Sequence, residues 1–229
     1  MPLDGLETMI ATAMLKFELA CKRKPLRILC LGAHSDDLEI GCGGTVLEWL
    51  SETNAVEVTW VVFSATESRA TEALDSASNL LSKAKRRTVI LHDLRDGYFP
   101  AEFAKAKTLF EELKAGDNPD VILTHRLEDR HQDHRLVAEL TWQTFRDHLI
   151  LEYEIPKYEG DLGLPNLYVP LTKESGEGKI QHLLGHFGSQ RSKDWFRPET
   201  FLGLMHLRGV ESRAPSGMAE GFYVRKAII

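Results

Sequence analysis

Cysteine is scarce in this chain. Only Cys21, Cys30 and Cys42 occur among its 229 residues, none in Cys-x-x-Cys spacing, and three cannot all pair. That argues against a disulfide framework and against a thiolate-rich structural metal site, and it fits a reducing compartment. A strong charge of either sign is also missing: 28 Lys and Arg stand against 34 Asp and Glu, a formal net charge of −6. Such a balance leaves no electrostatic footprint for nucleic acid. No apolar run is long enough to span a membrane. Residues 1–20 look amphipathic but carry Asp4 and Glu7 where a targeting leader would be basic, so the protein is expected in the cytoplasm. Internal repeats, low-complexity tracts and flexible linkers are absent too. With 43% hydrophobic residues the chain can bury a sizeable core, and one domain over 1–229 is expected, its core within about 25–150 and completed by 151–229.

What is present is an alternation of strand-like and helix-like segments. Residues 27–33 and 56–64 form apolar runs, and 88–94 and 120–125 repeat the pattern. Between them lie helical spacings: 42–51, opened by glycines; 68–87, with Ala73, Ala77, Leu80, Leu81 and Ala84 on one stripe; 100–115; and 131–149, with Leu136, Leu140 and Phe145 aligned. The order implies βαβ units with right-handed crossovers, hence an α/β fold with a doubly wound, mostly parallel, Rossmann-like sheet and helices on both faces. The rest is rich in loops, punctuated by Pro156, Gly160, Gly163, Pro165 and Pro170. Helices over 172–189 and 199–207 and a last strand over 222–226 are expected there.

The chemistry-bearing residues gather after the strands. Leu29-Cys-Leu-Gly-Ala-His34-Ser-Asp36-Asp37 ends an apolar run in an imidazole and two carboxylates, followed by Gly41-Cys-Gly-Gly-Thr45. Far downstream, His125-Arg-Leu-Glu-Asp129-Arg-His131-Gln-Asp133-His134 follows Val121-Ile-Leu-Thr124. In a doubly wound sheet, ligands bind beyond the carboxyl ends of the strands where strand order reverses. His34, Arg69, Asp96 and the 125–134 cluster all fall at that edge. Catalytic zinc takes three ligands from His and Asp or Glu and keeps one position for water. His34 and Asp37 suit one ion, with the third ligand drawn from His125, His131 or His134. Taken singly, an Asp-Asp pair after a strand is a helix cap and a histidine at a helix start is a surface residue. Together they point to metal-assisted hydrolysis.

The two motifs resemble those of the PIG-L/LmbE-like zinc deacetylases, which act on N-acetylglucosaminyl lipids and related N-acylated sugars. Ala33-His34-Ser35-Asp36-Asp37 with Gly41-Cys42-Gly43-Gly44-Thr45 is similar to the family's Ala-His-Pro-Asp-Asp and Gly-Cys-Gly-Gly-Thr, and His131-Gln132-Asp133-His134 to its His-Pro-Asp-His. The resemblance implies zinc ligation by His34, Asp37 and His134, with Fe2+ or another divalent ion as the alternative. It also implies Asp36 as general base, a protonated His131 as oxyanion stabiliser and acid, and Asp133 as the residue that orients His131. Arg69 and Asp96 occupy the places from which the family contacts sugar hydroxyls. Their bland readings are a helix salt bridge to Glu72 and an Asp-Gly turn. Ser35 and Gln132 depart from the family prolines and free two loops from a fixed φ.

The implied reaction is removal of an acetyl group from an N-acetylated amino sugar, free or conjugated, with a homo-oligomer as a further expectation. Alternatives stay open. A metal-dependent hydrolase of another amide or of a phosphoester is one, although phosphoester chemistry commonly uses two bridged metals. A nucleotide-binding module fits less well, since Asp36 and Asp37 would face a phosphate and no Gly-x-Gly-x-x-Gly register exists. His182 and His186 stand at i, i+4 without a carboxylate motif and are expected at the surface or in the core. His92, His148 and His206 are expected to be structural or exposed. The segments 151–158 and 166–170 suit a substrate mouth, a subunit contact or core packing.

Overall fold

The computed structural model describes residues 25–53, 55–116 and 118–228; the amphipathic 1–20 segment and Cys21 lie outside the described residues. Seven strands form one sheet in the order β3-β2-β1-β4-β5-β7-β6. The first five, β1 (Leu26–His34), β2 (Val56–Ser64), β3 (Arg86–Leu91), β4 (Val121–Thr124) and β5 (Leu149–Tyr153), run parallel. β6 (Leu167–Pro170) and β7 (Ala219–Tyr223) close the far side in antiparallel pairing. The fold is therefore the doubly wound α/β arrangement that the alternation implies.

Both faces of the sheet are covered, so the central strands are largely apolar and sort their side chains by parity. Ile28, Cys30, Val58, Trp60, Val62, Val121, Leu123, Leu151 and Tyr153 belong to one core cluster with residues of α1 (Asp37–Glu52), α2 (Glu67–Leu80), α5 (Lys173–His186) and α6 (Pro198–Ser212). Leu29, Leu31, Ala33, Val61, Phe63, Ile122 and Ile150 join the opposite cluster with α3 (Phe103–Lys114) and α4 (Gln132–Thr144). Among the described residues no helix is long and apolar enough to cross a membrane.

Several boundaries differ from the sequence reading. α1 starts at Asp37, five residues before the glycine-opened start expected at Cys42. Its glycines are contact points: a Cβ at Gly41 would sit inside the Tyr153 ring, and one at Gly44 would fall 2.7 Å from Leu171 Cδ1. α2 ends at Leu80 and not at 87, because Lys85 N already donates to Val56 O and brings the chain into the sheet. The helix expected to reach 149 stops at Thr144, and Leu149 opens β5. The last strand is 219–223, three residues earlier than expected. In the 151–158 stretch, Leu151, Tyr153 and Ile155 are core and only Tyr158 is strongly exposed.

Candidate active site

β1 and β4 are parallel neighbours, Cys30 opposite Leu123, so His34 at the end of β1 and His125 just past β4 emerge side by side. The chain leaves β1 toward β2 and β3 and returns to β4 on the other flank, and this reversal opens a crevice at the carboxyl edge. α1 enters from below it with Asp36 as N-cap and Asp37 in its first turn. α4 enters from the other side with His131 as its cap, Nδ1 accepting from Asp133 N at 3.3 Å.

Three donor atoms meet there. His34 Nδ1 lies 3.2 Å from Asp37 Oδ2 and 3.2 Å from His134 Nε2, and His134 Nε2 lies 3.4 Å from the same Asp37 oxygen. Ligands about 2.0–2.1 Å from a tetrahedral ion stand about 3.3 Å apart, so this triangle has the dimensions of one face of such a site. All three residues are buried. Overlapping groups of donors surround it, Asp37–His125–His134 and His34–Asp96–His131–Asp133 among them, each with ligand atoms within 4.8 Å of one another.

Carboxylates stand behind both imidazoles. Asp129 Oδ2 faces His134 Nδ1 at 3.0 Å, and Asp133 Oδ2 faces His34 Nε2 at 3.2 Å. A carboxylate so placed favours a proton on the outer nitrogen and, once an ion takes the inner one, fixes tautomer and ring orientation, as at metal-ligating histidines. Asp133 is itself held by the N–H groups of Gly97, at 2.6 Å, and Phe99, at 3.1 Å. Its carboxylate thus hydrogen-bonds His34, while its backbone N–H donates to His131 Nδ1, the ring it is expected to orient.

Asp36 stands outside the triangle, its Oδ1 2.5 Å from Arg69 Nη2. Arg69 therefore pairs with this carboxylate, and Glu72, its expected helix partner, instead accepts from Ser189 N and Oγ. Two residues before Arg69, Glu67 adopts φ 50, a strained value for a residue with a side chain. Asp96, on the exposed loop after β3, approaches His34 Nε2 at 3.2 Å. Gln132 uses the freedom that proline lacks: its Nε2 donates to Gly97 O at 3.0 Å and ties that loop to α4.

The charges follow from burial and neighbours. Burial raises the Asp36 carboxyl above its ordinary range, against the lowering pull of Arg69. Burial would raise Asp37 too, but His134, His125 and His34 hold it well below that range. His34 is lowered by burial yet raised well above the usual imidazole value by Asp37, Asp133 and Asp96. His131 and His134 are lowered, chiefly by burial. His34 hydrogen bonding brings Asp96 down to about 2.

The sequence reading gave no role to Asp129 or Lys157 and left His125 as one of three possible third ligands. His125, fully buried, accepts from Ala33 N at 2.9 Å and stacks on His134 with ring centroids 3.9 Å apart; its Nδ1 has no hydrogen-bond partner among the described residues. Asp129 carries no motif signal beyond lying five residues before His134. Lys157 reaches Asp129 Oδ2 at 3.0 Å from beyond β5, and no local pattern announces it. His182 is separate from the cluster, its Nε2 2.8 Å from Ser76 Oγ and its ring 4.3 Å from that of His186. His92 stacks on Phe63, His148 meets Asn118 and His206 meets Gly217 O.

Solved structures share this fold. The 4-carboxy-2-hydroxymuconate hydratase of Pseudomonas putida KT2440 is 16% identical, with TM-score 0.68 over 89% of this chain and 98% of its own. The conserved protein TT1542 of Thermus thermophilus is 18% identical, with TM-score 0.68 over 89% of this chain and 96% of its own. The N,N'-diacetylchitobiose deacetylase of Pyrococcus horikoshii is 20% identical, with TM-score 0.62 over 89% and 84%. In sequence, the family described as PIG-L, GlcNAc-PI de-N-acetylase, matches residues 29–145, over half of the chain. That span runs from β1 through α4 and takes in both histidine and aspartate motifs, and the chain belongs to the PIG-L family.

Proposed function

We propose that the protein is a metal-dependent hydrolase that removes the acetyl group from an N-acetylated amino sugar of the N-acetylglucosamine type. One observation carries the reading: the tight triangle of His34 Nδ1, Asp37 Oδ2 and His134 Nε2, with a carboxylate behind each imidazole. Two neutral imidazoles and one carboxylate form a catalytic zinc donor set, with Fe2+ as the alternative, and a donor set without thiolates is unlike a closed structural site. A divalent ion held there supplies Lewis-acid polarisation and lowers the pKa of water.

The remaining work falls to the chain's own residues. Asp36, buried beside the ligands and bonded to Arg69, takes the proton of the attacking water and returns it to the departing amine nitrogen. His131 accepts the Asp133 N–H at Nδ1, so a neutral ring carries its proton on Nε2. It thus donates to the oxyanion without the protonation that the resemblance implied, in keeping with its lowered pKa. The products are acetate and a free amino sugar. Arg69 and the exposed Asp96 stand at the rim, suited to sugar hydroxyls.

The test is acetate release from N-acetylhexosamines and their glycoside and nucleotide derivatives, comparing zinc-loaded wild type with Asp36→Asn. Release by wild type, abolished in Asp36→Asn while zinc stays bound, is expected. Near-normal turnover in Asp36→Asn would remove Asp36 as the base, and a wild type that binds no divalent ion would overturn the reading.

A further inference from the structure

Lys157 lies outside the residues matched by the family and follows β5, yet its ammonium is inside the site. Its side chain is 9% exposed, wedged between Asp129 and Asp161, whose side chains are 5% and 7% exposed. Nζ stands 3.0 Å from Asp129 Oδ2 and 2.8 Å from each Asp161 oxygen. Asp161 also accepts Arg130 N at 2.6 Å, and its carbonyl accepts Arg126 Nη1 at 2.8 Å. The loop after β5 is thereby clasped to the loop that leads into α4, just ahead of His131 and His134.

We propose that Lys157 is a positioning residue of the metal centre, setting its affinity for a divalent ion by holding the Asp129 carboxylate against His134. The proposal rests on the metal-centre reading above. One oxygen, Asp129 Oδ2, faces both His134 Nδ1 and Lys157 Nζ, while Oδ1 accepts His131 N at 2.8 Å. Asp129 and Asp161 share this one ammonium within ion-pair distance among the described residues. Without the ammonium, Asp129 and Asp161 repel each other across the space it fills, and the Asp129 carboxylate turns away from His134. His134 then loses the acceptor that keeps its proton on Nδ1 and its Nε2 lone pair in the triangle.

The experiment measures zinc affinity of the metal-stripped full chain by competition with a chelator, for wild type, Lys157→Met, Asp129→Asn and the double variant. Lys157→Met and Asp129→Asn should each weaken zinc binding by about 10–100-fold, the usual cost of losing an outer partner of a ligand. The double variant should bind no more weakly than Asp129→Asn, because Lys157 acts through Asp129. Lys157→Arg should recover part of the loss. If Lys157→Met does not fold, Lys157→Gln removes the charge and should show the same loss. Wild-type affinity without the ammonium, or losses that multiply in the double variant, would overturn the proposal. Absence of zinc binding by wild type would instead overturn the metal-centre reading on which it rests.

Discussion

Arg69 Nη2 lies 2.5 Å from Asp36 Oδ1, so the candidate base is paired with a cation from a different strand-to-helix connection. Burial favours the neutral carboxyl and Arg69 opposes it. A base must be ionised to act, so the acidic limb of kcat/KM reports its proton affinity. Arg69→Met removes the lowering influence and should move that limb up by about one to three pH units. Arg69→Lys should move it less. A pH–rate profile checks this, and an unmoved limb in Arg69→Met would show that Arg69 does not govern Asp36.

Binding of a divalent ion to the folded chain should raise its melting temperature. At free metal a hundredfold above Kd the gain is about 2.7 kcal/mol, or about 5–10 °C for a chain of this size. Asp37→Ala takes away the oxygen shared by the short contacts to His34 and His134 and should abolish the shift. Thermal melts with and without zinc decide it; an undiminished shift in Asp37→Ala would place the ion elsewhere.

Glu39, 1% exposed and bonded to Ser76 Oγ, is pushed by burial from an ordinary 4.5 to about 8. Its native pKa exceeds the unfolded one, so as pH rises from about 4.5 to 8 the unfolded chain gives up this proton while the native chain keeps it. The contribution to stability therefore falls across that window and levels off above it. Glu39→Gln has no such dependence and should gain on wild type by a few kcal/mol between about pH 5 and pH 8. Urea unfolding of the metal-free proteins at both pH values measures the gap. A gap independent of pH would show that Glu39 is ionised in the folded chain.

Arg208 and Glu154 are 2% and 5% exposed and meet in a two-pronged pair, Nε to Oε2 at 2.8 Å and Nη2 to Oε1 at 2.7 Å. Arg208→Met leaves Glu154 buried with Tyr223 as its remaining donor among the described residues, and should cost about 3–5 kcal/mol in urea unfolding. Arg208→Lys cannot reproduce the fork and should fall between the two. Wild-type stability in Arg208→Met would mean that water replaces the guanidinium.

Much of this architecture was legible because burial on both sheet faces leaves continuous apolar runs: β2 lies at 56–64 as its residues indicate. Both histidine motifs could be placed at one edge because each follows a strand of a parallel sheet, whose carboxyl ends lie together. The short strands β5 and β6 were not legible. Leu149 continues the helical stripe of α4, and the proline-bounded 167–170 owes its place to pairing with β7. In the site, His34, Asp37 and His134 had motif signals. Asp129 lies only five residues before His134 but in no recognised motif, and Lys157 meets Asp129 across 28 residues of chain. The contact of the Asp133 carboxylate with His34 was not legible, because spacing to His131 says nothing about a side chain directed back at β1.

Among the described residues, the order of the sheet leaves β3 and β6 as its two margins. β6 is four residues long and closes with Pro170, and β3 opens with the exposed Arg86 and Arg87. A strand from another molecule would meet, on one side, a ring with no N–H to offer and, on the other, guanidinium groups that resist losing their water. Runaway edge-to-edge growth into fibrils is thus discouraged at both ends, even though the interior strands are among the most β-prone segments of the chain.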